Sequence, residues 1–256
     1  MSARMALIRA VFAMFAKRQT GKETDMEITL AYEERGTGFP LVLLHGNGED
    51  HTYFVHQLDA FAPHYRVIAV DTRGHGQSPR GTAPFTIRQF AADLYEFFRA
   101  HNIQKAHLLG FSDGGNVALC FALQHPACVE TLILNGANLN PAGVRRRTQW
   151  PIEIGYRIAS RFAAKSPEAR RHAELLGLMV NDPMIDPAAL ATLTMPVLVI
   201  AGSHDMILRS HTELIAKSIP RAELKILPGT HFLANRRPEA FNRAVDAFLK
   251  KHSSAS

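Results

Sequence analysis

Apolar positions along the chain switch between two periods, one of strands and one of helices. Residues 26–33 alternate singly and predict a strand, with Gly36-Thr37-Gly38 turning the chain after it. The uninterrupted apolar run Leu41 to Leu44 predicts a strand buried on both faces. A second buried strand is predicted at 65–70, and further strands at 106–110, 131–134, 197–201 and 222–227. Helical spacing appears between them. Residues 53–61 end at Pro63, and 87–100 place Phe90, Leu94, Phe97 and Phe98 on one stripe. Residues 114–124 stop before Pro126, and further helices are predicted at 210–218 and 238–250.

Strands alternating with helices predict a mostly parallel central sheet covered on both faces. The rhythm breaks between Asn135 and Thr194, where no strand is predicted. That stretch holds polar and basic helical segments and the one tryptophan, Trp150. It reads as a short helical cap, residues 138–193, inserted into a core made of 26–137 and 194–250. Residues 1–25 form a peripheral extension. Arg9 interrupts its apolar run, which is too short to span a bilayer. Three readings of it stay open: a helix packed on the body, a helix lying on a membrane surface, or a stretch ahead of a start at Met26.

Composition narrows the classes. With 46% hydrophobic and 20% charged residues in 256, the chain can bury one large core. The net charge of +6 invites nucleic acid, but no base-reading motif accompanies it, so no nucleic-acid partner is expected. The two cysteines, Cys120 and Cys128, form no CxxC pair and read as buried thiols. Nothing demands an oxidising compartment, and a cytoplasmic location is the expectation. Composition says nothing of the oligomeric state.

In an open α/β sheet, chemistry gathers beyond the carboxyl ends of the strands. The strand at 106–110 runs into Gly110-Phe111-Ser112-Asp113-Gly114-Gly115 and then a helix. Strand, sharp turn and helix are the context a nucleophile elbow requires, so Ser112 is the candidate nucleophile. A serine needs a base, and the base needs an orienting carboxylate. Asp205 follows the strand at 197–201, and His231 follows the last strand. Chain order selects these two, with His204 the bland neighbour and Asp182 and Asp186 the weaker acid alternatives. The backbone N–H groups of Asn47 and Asp113 are the candidates for an oxyanion hole. His45 reads as structural, and so does the 71–78 loop with its Asp71/Arg73 pair. Trp150, Ile154, Tyr156, Leu175, Leu178 and Met179 either line the substrate pocket or form the cap's own core. Trp150 is the candidate substrate contact among them.

His45-Gly46-Asn47-Gly48, the 71–78 loop, the Ser112 elbow, Asp205 and His231 together resemble the α/β-hydrolase superfamily in order and spacing. Asp113 after the nucleophile, with Gly136-Ala137-Asn138 after the next strand, resembles more closely the valacyclovir hydrolase (biphenyl hydrolase-like) group. That resemblance implies cleavage of α-amino-acid esters, with Asp113 binding the substrate's amino group. Read from the residues alone, Asp113 serves equally as a helix cap. The expected activity is therefore hydrolysis of a small carboxylic ester through an acyl-enzyme, with no metal and no cofactor. Carbon–carbon hydrolysis, acyl transfer or perhydrolysis would use the same three residues. A dehalogenase would need a carboxylate at position 112. The alternative of another class is a non-catalytic binding protein on a hydrolase scaffold.

Overall fold

A computed structural model describes residues 27–252. Seven strands form one sheet: β1 (Tyr32–Arg35), β2 (Pro40–Leu44), β3 (Arg66–Val70), β4 (Ala106–Phe111), β5 (Val129–Asn135), β6 (Val197–Gly202) and β7 (Ala222–Leu227). Their spatial order is β1-β3-β2-β4-β5-β6-β7, and every pair is parallel except β1 with β3. The chain therefore crosses over between β3 and β4. This opens a crevice at the ends of β2 and β4, where ligands bind in sheets of this type.

Helices cover both faces. They are α1 (Val55–Phe61), α2 (Ile87–Ala100), α3 (Asp113–Gln124), α4 (Arg146–Phe162), α5 (Pro167–Asn181), α6 (Arg209–Ser218), α7 (Leu233–Arg236) and α8 (Pro238–His252). Because side chains alternate along a strand, β2 sends Leu41 and Leu43 to one core and Val42 and Leu44 to the other. The first core meets Leu58 and Phe61 of α1 and Phe241 and Phe248 of α8. The second meets the Phe90, Leu94, Phe97 and Phe98 stripe of α2 and the inner side of α3. Between β5 and β6 the chain leaves the sheet and forms α4 and α5, which pack on each other.

Most predicted strands stand within a residue or two of their expected bounds. The first does not. The sheet takes in only Tyr32–Arg35: the Asp71 N–H still donates to Ala31 O along the β1–β3 register, but the Ala31 N–H is diverted to Ser78 Oγ at 2.8 Å. The chain before it docks on the 71–78 loop instead of pairing. The extension 1–25 and Met26 lie outside the described residues. Among the described residues, no helix is long and apolar enough to cross a membrane. Cys120 and Cys128 are free and half-buried, more open than buried thiols would be.

The 71–78 loop is tightly bonded, but Asp71 and Arg73 do not pair with each other. Asp71 accepts from His51 and from the Gln77 N–H. Arg73, 1% exposed, turns away and grips Asp93 of α2 through two bonds of 2.7 and 2.6 Å, with Glu27 as a second partner. Removing one partner of a buried ion pair strands the other charge. Asp93→Ala is expected to cost about 3 kcal/mol of stability, with Glu27 limiting the loss. Urea unfolding of variant and wild type checks it, and equal midpoints would contradict the pairing argument.

Candidate active site

β4 ends in Phe111, and Ser112 follows at φ 53°, ψ −120°, a backbone conformation side chains rarely adopt. The turn is held from both sides. The Ser112 N–H donates to Asn135 O at 2.8 Å, and its carbonyl accepts from Asn116 N. A Cβ at Gly110 would lie 2.2 Å from Gly114 O, and one at Gly114 would lie 2.1 Å from Leu44 O. Only glycine lets α3 start so close beneath β4 and β2.

His231 lies in the loop between β7 and α7, with its Nε2 3.0 Å from Ser112 Oγ. Its Nδ1 is 2.7 Å from Asp205 Oδ1. Asp205 follows β6 and is 3% exposed; the N–H groups of Ile207 and Gly202 also donate to it. Burial works against its charge. The hydrogen bond and charge of His231 and these two N–H groups outweigh burial and hold the carboxyl below its ordinary range. Gly136, at φ 66°, makes room for the imidazole, since a Cβ there would sit 2.7 Å from His231 Cε1.

The other acid candidates lie elsewhere. Asp182 accepts from the first N–H of α2, and Asp186 caps a short 3-10 helix through the Ala188 N–H. His204 bonds Ser203 Oγ beside it. His45 is fully engaged with backbone: Nδ1 donates to Gly46 O at 2.7 Å and Nε2 accepts from Thr72 N at 3.0 Å. Burial, with His75 beside it, pushes its pKa down to about 4, so it stays neutral.

Asp113 opens α3 but does not cap it. Its carboxylate accepts from the side-chain amides of Asn47 at 2.9 Å and Asn116 at 3.2 Å. Asn47 donates also to Leu175 O of α5, and Asn116 bonds Asn138. The network thus joins the loop after β2, the start of α3, the segment after β5 and the insertion. No cation joins it among the described residues. Burial, with the charge of Asp182, pushes Asp113 up to about 6 against the Asn47 amide.

Glu49 is a residue that motif reasoning missed. Gly48, at φ 73°, turns the chain so that Glu49 Oε2 accepts from Gly46 N at 3.1 Å. Burial pushes Glu49 up to about 7, opposed by that N–H and by the charge of His231. The signal was a carboxylate directly after a glycine-rich loop. Trp150 and Ile154, by contrast, were expected at the pocket or in the cap's core. They are 60% and 38% exposed on the outside of α4. Leu178, from the same set, is fully buried against α3 and the sheet.

A serine hydroxyl, an imidazole and a buried carboxylate in series can move a proton off Ser112. Asp113 follows Ser112 and is first in α3, so its N–H opens the helix beside the serine, while Asn47 lies in the loop after β2 and reaches Asp113 through its side-chain amide at 2.9 Å. The opening N–H groups of a helix have no intrahelical acceptor.

Comparison with known proteins bears on the family and the fold. A family profile described as alpha/beta hydrolase fold matches residues 40–155. A RutD protein of Caulobacter sp. (strain K31), named for carbamate hydrolysis, is 30% identical over 82% of this chain and 90% of its own length. The human serine hydrolase BPHL is 29% identical, covering 87% of this chain and 84% of itself. A thermophilic esterase from Thermogutta terrifontis superposes with a TM-score of 0.73 at 25% identity, over 92% of this chain and 98% of that one.

The raised pKa of Asp113 has a consequence for stability. The folded state binds this proton more tightly than the unfolded chain, so stability from this group is present at low pH and lost as pH rises through about 6. Relative to Asp113→Asn, wild type should gain stability as pH falls from 7 toward 4. Thermal midpoints across that range test it, and a constant difference would contradict the shift.

Proposed function

This chain belongs to the alpha/beta hydrolase fold family, and we propose that within it the protein is a serine hydrolase cleaving a small carboxylic ester, its preferred substrate an ester of an α-amino acid. The single observation that carries the reading is the series Asp205, His231 and Ser112, joined at 2.7 and 3.0 Å.

His231 Nε2 takes the Ser112 proton as Oγ attacks the ester carbonyl carbon. The carbonyl π electrons move to oxygen, and the N–H groups of Asn47 and Asp113 hold the resulting oxyanion. Collapse of the tetrahedral intermediate breaks the bond to the alcohol, which leaves with the proton from His231. Water then attacks the acyl-enzyme, giving its proton to the same nitrogen. A second collapse releases the acid and restores Ser112. Asp205 keeps Nδ1 protonated and stabilises the imidazolium formed in each half.

The amino-acid preference rests on Asp113. A buried carboxylate held by neutral amides, with no cationic partner among the described residues, lacks a countercharge. A substrate ammonium next to the scissile ester would supply one, as the resemblance to the valacyclovir hydrolase group implies. The relatives bear on the reaction class: one is named for carbamate hydrolysis, another as a serine hydrolase, and both names describe acyl-group hydrolysis or its nucleophile.

Ser112→Ala should lower ester turnover by about 10⁶-fold, the usual cost of losing a nucleophile. It should also abolish labelling by a fluorophosphonate. Turnover at the wild-type rate in the purified variant would sink the assignment. For substrate class, a free α-amino ester is compared with the analogue bearing hydrogen in place of the amine. Wild type should favour the amino ester by about 10–100-fold, the range of a hydrogen bond to a charged group. Asp113→Ala should lose that preference, and in wild type it should fade as pH drops below about 6. An equal response of both proteins to the pair would remove Asp113 from substrate binding.

A further inference from the structure

The outward side of α4 carries a pattern that the proposed hydrolysis does not use. Trp150, Ile154, Ile158 and Phe162 recur every four residues and are 60%, 38%, 57% and 50% exposed. At 3.6 residues per turn, Arg146, Arg147, Arg157 and Arg161 fall on the same arc, interleaved with them. Glu153, the one carboxylate of this helix, sits at the edge of the arc and is half-buried. None of the four arginines has a carboxylate partner among the described residues. The opposite side is taken: Gln149 donates to Met179 O of α5, and Tyr156 packs beside Gly177. The helix is thus held by its inner side and presents an outer side of unpaired arginines and large apolar side chains.

We propose that this outer side of α4 docks the protein on an anionic lipid surface. The apolar side chains would enter the boundary between headgroups and acyl chains, with Trp150 at headgroup depth, where indoles concentrate. The arginines lie along their stems and place their guanidinium groups on lipid phosphates, which they match with two hydrogen bonds each. Positive charge continues beyond the end of α4 in Lys165, Arg170 and Arg171, around a cavity of about 370 Å³ at the start of α5. Charge complementarity selects lipid over protein. A protein partner would have to set carboxylates in register with four arginines spread over about 22 Å of helix. A lipid surface offers phosphate at every point and needs no register. The docking is independent of the reaction at Ser112.

Trp150 is the only tryptophan of the chain, so its fluorescence reports this side alone. The full chain is titrated with phosphatidylcholine vesicles, with and without phosphatidylglycerol, and with brominated acyl chains in a parallel series. Trp150 emission should shift to the blue and be quenched by bromine when phosphatidylglycerol is present. Both effects should weaken as salt is raised. Replacing all four arginines by glutamine should lower partitioning by at least about tenfold, with circular dichroism showing an unchanged fold. Three results would overturn the proposal. One is no shift with anionic vesicles. Another is co-sedimentation with Trp150 unquenched, which would assign binding to a different segment. The third is a blue shift without vesicles that grows with protein concentration, which would show a second copy covering this side.

Discussion

Ser112 holds a backbone conformation that costs a residue with a side chain on the order of 1–3 kcal/mol, and its surroundings have to impose it. Asn135 O and Asn116 N bind its two backbone groups, while Gly110 and Gly114 let β2, β4 and α3 approach to backbone contact. The sheet order follows the same demand. The crossover between β3 and β4 leaves the tip of β4 open next to the loop after β2. Loops after β6 and β7 then bring Asp205 and His231 to the serine across neighbouring strands. With any bulkier residue at 110 or 114, α3 would have to move away from the sheet, and Oγ would leave the reach of His231.

The polar groups around this turn are unusual in how few of them are cations. Asp113 is buried and Glu49 half-buried, and the partners of both are amides, so desolvation raises each toward neutral pH. Asp205 is as buried as Asp113, yet it stays ionised because His231 and two N–H groups face it. Three carboxyls within one site therefore differ in charge through their neighbours alone. The Asp113 network also ties the site to the insertion, since Asn47 donates both to Asp113 and to Leu175 O of α5. A displacement of α5 would reach the side chain next to the nucleophile through one shared amide.

Much of the fold was legible in the order of residues. Uninterrupted apolar runs mark strands buried on both sides, and their spacing from helical stripes implies parallel pairing. The first strand was legible only in part. Alternation is a local signal, whereas the Ala31 N–H is diverted to Ser78 Oγ, far along the chain. Ser112 and its glycines could be placed because the elbow is a contiguous motif. The order of the late strands placed Asp205 and His231, although a histidine and an aspartate carry no signature of their own.

Sequence alone determined the architecture and the residue types at each strand end, because hydrophobic period and turn chemistry act over a few neighbouring residues. Tertiary structure alone decided that Arg73 grips Asp93 rather than Asp71, and that Asp113 binds amides rather than capping its helix. It also decided that Trp150 faces outward. Each of these is a contact between segments far apart in the chain. A helical period shows that α4 has different sides, but the neighbour that covers one of them is set by how the insertion packs on itself and on the sheet.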